Sequence, residues 1–266
     1  AEISITATTG EGSIGIVPGT PPQNPFLVYK GPFRIALKQF AAVRNFQAGT
    51  TAASAQIELS WEPRLRPMLL SLKSEDLEIK DDKGQEIRPQ TLLESTDLVL
   101  RPENPAAEIN INIDVPQRSA AKLSILSVKS QITLPAALKM FRFPSLAGKN
   151  VTQRQGDVTV TLENVEIDEQ VWKVNVEVVY PGDGPAFESY RQGLFNNRLW
   201  LQKADGSRFE HNGGFSNTGS DGGKLGFEYV FVDVPGKLAD YQLIYETPAK
   251  VATIPLEFQF EDVPLP

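Results

Sequence analysis

The chain has 266 residues, with 26 Lys and Arg against 33 Asp and Glu, giving a net charge of −7. It contains no Cys and a single His, which excludes a disulfide framework, a thiolate metal site, a cysteine nucleophile and any site needing two imidazoles. The acidic balance argues against nucleic acid or an anionic membrane as a partner, and no run approaches the roughly 18 apolar residues that span a bilayer.

At 41% hydrophobic residues the composition is that of an ordinary globular protein. Its 20 prolines are spread along the chain and disfavour long helices. Numbering begins at Ala1 rather than Met, which fits a processed chain that has lost an export signal.

Gly10-Glu11-Gly12-Ser13-Ile14-Gly15 spells the G-x-G-x-x-G of dinucleotide sites. It runs into Pro18, Pro21 and Pro22, which do not open the helix such a site requires. From there the pattern alternates with period two. Phe33, Ile35 and Leu37 alternate with Arg34, Ala36 and Lys38, and Ile57, Leu59 and Trp61 with Glu58 and Ser60. Asp81-Asp82-Lys83-Gly84, between Ile79 and Ile87, reads as a hairpin with Gly at the left-handed position. Ile109, Ile111 and Ile113 alternate with Asn110 and Asn112.

The second half reads alike. Its strands are expected near 151–153, 157–166, 171–180, 198–203, 226–234, 240–246 and 251–261. A hairpin at Lys203-Ala204-Asp205-Gly206 matches the one at Gly84. One apolar and one polar face per strand indicates antiparallel sheets, so the fold class is all-β.

Five blocks recur in order. The strand from Phe33 resembles that from Val158, and the one from Ile57 resembles that from Val174. The hairpin from Leu77 resembles that from Leu199. Asp-Val-Pro ends at both Pro116 and Pro235, and Pro135 and Pro255 close matching strands. Offsets stay between 117 and 125 residues, and both copies then reach Phe-x-Phe, at Phe141/Phe143 and Phe258/Phe260. The chain therefore divides by repetition into 1–146, a first β-sandwich with an N-terminal extension, and 149–266, a second β-sandwich. The junction falls near Pro144–Lys149, and each copy has about the usual length of a domain.

Leu238-Ala239-Asp240-Tyr241-Gln242-Leu243 resembles the tyrosine corner of immunoglobulin and fibronectin type III domains, in which a Tyr hydroxyl bonds to upstream backbone. The resemblance implies two tandem antiparallel immunoglobulin-like β-sandwich domains from an internal duplication. The first copy has Lys122 where Tyr241 stands, and neither copy has the inter-sheet cysteines. The layout also resembles uncharacterised exported bacterial proteins built from tandem sandwiches, which implies a periplasmic, cell-surface or secreted location.

Candidate chemistry centres on the second copy. His211 follows a predicted strand, but Glu210 beside it points to the opposite face, and Ser207 and Ser216 lack a nucleophile elbow. Residues 210–224 read as a Gly-rich loop around Phe215, a contact candidate or a plain hairpin excursion. Asp183-Gly184, Asp205-Gly206 and Asp221-Gly222 are turn signals and spell no calcium loop. The acid pairs Asp81/Asp82, Glu75/Asp76 and Glu261/Asp262 fall in predicted turns or edges, where solvated charge is usual. Trp61 and Trp172 are in phase with core residues. Trp200 is out of phase with Leu199 and Leu201, so an exposed face with Tyr190 and Phe195 could stack a sugar.

No catalytic, cofactor-binding or metal-binding residue is assigned, and no cofactor is expected. The expected function is a non-catalytic structural, adhesive or protein-binding module of the cell envelope or exterior, with a protein or an envelope component as partner. Two other readings stay open: a carbohydrate-binding module, and a hydrolase using carboxylates of the second domain.

Overall fold

The protein is described here by a computed structural model, which covers residues 3–7, 14–18, 24–90, 95–100, 104–180, 197–221 and 224–266. Among these residues the chain is all-β, as expected. Its strands pair antiparallel into three sheets and a two-stranded ribbon, and no α-helix occurs.

The first strands are β1 (Ile3–Ala7), β2 (Ile14–Pro18), β3 (Leu27–Lys30), β4 (Phe33–Asn45) and β5 (Thr50–Trp61). They are followed by β6 (Leu69–Asp81), β7 (Ser95–Val99), β8 (Ala106–Ile113) and β9 (Lys122–Phe143). Next come β10 (Val151–Gln155), β11 (Val158–Asp168), β12 (Val171–Val179), β13 (Arg198–Lys203) and β14 (Arg208–Glu210). The last are β15 (Phe215–Asp221), β16 (Lys224–Val232), a 3₁₀ turn at Leu238–Asp240 and β17 (Tyr241–Pro264). Gly15, from the G-x-G-x-x-G string, sits in β2, which is a strand and not the start of a helix.

The chain folds into two compact units, Ala1–Leu134 with Thr253–Pro266, and Pro135–Ala252. Unit 1 has a sheet ordered β3-β4-β5-β8 and, in its second layer, β7 and β6 beside residues 122–134 of β9. Residues 253–264 of β17 complete that layer. There the Ser130 hydroxyl donates to the Leu256 carbonyl at 2.7 Å, and the Thr133 and Thr253 hydroxyls meet at 3.2 Å. The alternating residues Ile35, Ile57, Leu59, Leu126 and Ile132 fill its core together with Phe258 and Phe260.

Unit 2 has a sheet ordered β10-β11-β12-β16-β15 and a second layer of β14, β13 and residues 241–252 of β17. Residues 135–143 of β9 lie along β10, whose glutamines cap the β9 backbone. Gln155 donates to the Met140 carbonyl at 2.8 Å and Gln153 to that of Arg142. Val160, Val174, Val176, Phe227 and Phe231 are fully buried in this core.

Division by repetition at 146/149 and division by contact thus differ over 135–146 and 253–266. Pro135 and Pro255 do not end strands; each lies inside a long one, within two residues of the point where the strand changes unit. Proline lacks an N–H and interrupts a ladder, which suits a strand passing from one unit to the next. The expected strands 240–246 and 251–261 are accordingly one strand, β17.

The hairpins ending in Gly84 and Gly206 close identically. Asp81 N–H donates to the Gln85 carbonyl at 3.0 Å and Gly84 N–H to Asp81 at 3.1 Å. Lys203 N–H donates to Ser207 at 2.9 Å and Gly206 N–H to Lys203 at 3.0 Å. Gly84 and Gly206 have φ of 76° and 87°, a region open to Gly without steric penalty. Asp81 departs from its expected solvated state. It is 1% exposed, and its carboxylate accepts from the N–H groups of Lys83 at 2.9 Å and Gln85 at 2.8 Å.

The Tyr241 hydroxyl donates to the Pro235 carbonyl at 2.5 Å, and its ring meets Trp172 edge-on at 5.9 Å. Replacing Tyr241 with Phe keeps the ring contact and removes only the hydrogen bond. We expect a loss of about 1 kcal/mol, read as a fall in thermal midpoint of roughly 2–4 °C. An unchanged midpoint would show that the corner contributes no stability.

Candidate binding surface

Residues 210–224 are not a loop throughout. Phe215–Asp221 forms β15, paired with β16 in the register Phe215↔Tyr229, Ser216↔Glu228 and Asn217↔Phe227. The ladder extends back through the turn: Gly213 N–H donates to the Val230 carbonyl and Val230 N–H to Gly214, each at 2.9 Å. The Asn212 side chain then acts as a further backbone unit, donating to the Val232 carbonyl at 2.9 Å and accepting from its N–H at 2.7 Å. These bonds order a segment whose composition carries no strand signal. A register shift between Asn217 and Gly219 absorbs the glycines, as bulges at sheet edges do.

β16 supplies the inner face. Leu225, Phe227, Tyr229 and Phe231 alternate along it and are fully buried. Phe215 stacks on Tyr229 at 5.6 Å yet remains 41% exposed, because β15 is the last strand of its sheet. His211 is half-buried, its ring 5.2 Å from Tyr229, 6.0 Å from Phe215 and 6.3 Å from Phe231. The unique imidazole therefore packs within an aromatic row. Of the hydroxyls considered with it, that of Ser207 donates to Asp205 at 2.6 Å as part of a turn, and Ser216 lies on β15.

Behind this row lies a polar cluster that sequence reasoning missed. Asn197 is buried and donates to the hydroxyls of Tyr180 and Tyr245, each at 2.8 Å. The Tyr180 hydroxyl also meets that of Thr247. Burial pushes the Tyr180 phenol up to about 12, its bonds to Thr247 and Asn197 offsetting part of the rise. Burial likewise holds Tyr229 and Tyr245 well above the usual tyrosine range. The cluster is a set of protonated phenols that hold one another in place. Tyr245 and Thr247 are in phase with Leu243, and that phase is the one sequence signal pointing to it.

Trp200 is not the exposed platform its phase suggested. It is 2% exposed, with the Arg208 and Arg198 guanidinium carbons 4.6 Å and 5.6 Å from its ring. Its neighbour across the pair with β17, Ile244, is also buried, so β13 is buried on both faces. Trp61 and Trp172 are core residues, each 5% exposed. Tyr190, Phe195 and Asp183-Gly184 lie outside the described residues.

The acid pairs are dispersed. Asp262 is exposed and pairs with Lys122 at 2.6 Å, Glu75 pairs with Lys73 at 3.7 Å, and Asp81 is committed to its hairpin. Among the described residues no group of three or more His, Asp or Glu converges as a metal site would require. Among the described strands the arrangement instead presents an edge: β15 pairs only with β16, and a half-exposed Phe lies beside an aromatic core.

Comparison with known proteins finds no family model that matches the chain and no curated protein significantly similar to it.

Proposed function

We propose that the chain is a non-catalytic protein-binding module made of two immunoglobulin-like sandwiches that arose by duplication and act in the cell envelope or outside the cell. The duplication is supported by the two hairpins, which share their closing bonds and left-handed glycines at an offset of 122 residues. The immunoglobulin-like reading is supported by the Tyr241–Pro235 bond and by two antiparallel layers in each unit. Export rests on the resemblance of the layout alone.

The observation that carries the binding role is the outer edge of β15, along which no other described strand pairs. An edge strand offers unpaired N–H and C=O groups to an incoming strand, and Phe215 gives that strand an aromatic surface to cover. Natural edges not meant to pair carry Lys, Pro or a covering element. Among the described residues no Lys, Pro or covering element guards Phe215–Asn217, the stretch before the register shift, whereas the edge at residues 139–143 is capped by the glutamines of β10.

A library of extended peptides panned against the full chain should yield binders with alternating apolar side chains. Phe215→Lys, on the edge of the folded chain, should lower their capture at least tenfold, since hot-spot aromatics carry 2 kcal/mol or more. Panning that yields no binders, or binders indifferent to Phe215→Lys, would remove the reading.

A further inference from the structure

Unit 1 carries two features that the edge of β15 does not involve. The first is an arm. β4 and β5 run on past the sheet, and every residue from Ala42 to Ala52 is exposed. At the tip the Asn45 side chain accepts the N–H groups of Gln47 and Ala48 at 3.0 Å each, fixing a turn that presents Phe46. That ring is 85% exposed, and Val43 beside it 62%. The Arg44 guanidinium lies 5.5 Å over the Phe46 ring and has no carboxylate partner among the described residues. Between Ala42 and Ala52 the arm holds Arg44 and no Asp or Glu, so its tip carries a single positive charge on an acidic protein.

The second feature is a cavity of about 110 Å³, open to solvent, between the layers of the same unit. Leu70, Leu72, Leu77 and Ile109 line it, and its charged members are Lys73, which pairs with Glu75 at 3.7 Å, and Glu108. It exists because the pairing of β6 with β9 slips between Leu72 and Leu77, just where β7 stops covering β6 at Lys73. β8, the outermost strand of the facing sheet, forms the other lip. Glu108 stands at this rim, exposed, accepting a hydrogen bond from Gln56 at 3.1 Å and without an ion-pair partner among the described residues.

We propose that Phe46 of one copy seats in this cavity of a second copy, with Arg44 of the arm pairing Glu108 at the rim, so that the protein self-associates head to tail. Each half of the contact lacks what the other has. An 85% exposed aromatic ring meets an apolar recess, and a cation and an anion that have no ion-pair partner among the described residues meet each other. At about 110 Å³ the recess is smaller than the roughly 150 Å³ enclosed cavity that admits benzene, and because it is open it takes the ring in part, with the remainder at its mouth. Tip and cavity are different surfaces, so the contact is heterologous: every open assembly keeps one free arm at one end and one free cavity at the other, and growth continues as a filament or closes as a ring. One side chain and its rim form a small interface, which belongs with weak, concentration-dependent association.

Sedimentation velocity on the full chain over a wide concentration range tests this. The wild type should rise above the 29.3 kDa of one chain as concentration increases. Phe46→Ser, at an exposed tip, should keep the fold and weaken association at least about 30-fold. Arg44→Glu and Glu108→Arg should each weaken it about fivefold. The double variant Arg44→Glu/Glu108→Arg should return to within about threefold of wild type, because the pair is restored with its sign reversed. A chain that stays at 29.3 kDa throughout overturns the proposal. So does association indifferent to Phe46→Ser, or a double variant no better than either single one. A monomeric chain whose cavity instead takes an aromatic peptide of another protein overturns it equally. None of these outcomes bears on peptide capture at Phe215, which lies in the other unit.

Discussion

Raising the pH from 10 to 12 should unfold the protein steeply. Tyr180, Tyr229 and Tyr245 are all held above the ordinary tyrosine value, chiefly by burial. In the unfolded chain their phenols ionise near 10. In the folded chain that of Tyr180 keeps its proton up to about 12. Between these values the folded state binds more protons than the unfolded one, so stability falls as pH rises. The contribution is fully present below pH 10 and is lost on the way to the folded value. Each phenol contributes a slope of about 1.4 kcal/mol per pH unit, and three acting together give about 4 kcal/mol per unit, enough to exhaust the stability of an ordinary domain within a few units. Denaturant midpoints at a series of pH values check the slope, and tyrosine absorbance checks its origin. Three phenols should ionise only with unfolding; ionisation of all of them near pH 10 in the folded chain would overturn the assignment.

Trp200→Ala should cost about 3–5 kcal/mol, the range for deleting a large buried aromatic. The ring is 2% exposed and carries Arg208 and Arg198 against it, so its loss opens a cavity and removes the aromatic face on which both guanidinium groups rest. Chemical denaturation should show the midpoint falling with an unchanged slope. A variant as stable as wild type would mean that the indole is not packed as described and would reopen the stacking role once expected of it.

Much of the fold was legible because its strands have one buried face. Ile35, Ile57, Leu59, Val174 and Val176 fall on the core side as their alternation required. The turns at Gly84 and Gly206 were readable from a glycine at the position that takes a left-handed backbone. Trp200 was misread for a related reason: alternation names a face and presumes that the other is wet, whereas β13 is buried on both. β15 was illegible because edge strands made of Ser, Asn, Thr and Gly have no apolar period. What orders it is the ladder to β16 and the Asn212 side chain, both of which are tertiary. The Asn197 cluster was equally hidden, since three of its members come from three strands or their ends and meet only in space. The passage of β9 and β17 between units was masked by Pro135 and Pro255, which read as stops where they mark crossings.

That passage governs the order in which the protein can be made. Residues 253–264 emerge from the ribosome after all of unit 2, yet Leu256, Phe258, Phe260 and Val263 belong to the core of unit 1. Unit 1 must therefore wait, its cavity-bearing layers unsealed, while a later part of the chain folds. The bond from Ser130 to Leu256 spans 126 residues, and a closure of that length is slow to find for an unstructured chain. Unit 2 shortens the search, since once folded it replaces a long flexible loop by a compact body. The unit that is first in sequence is thus the last to be finished.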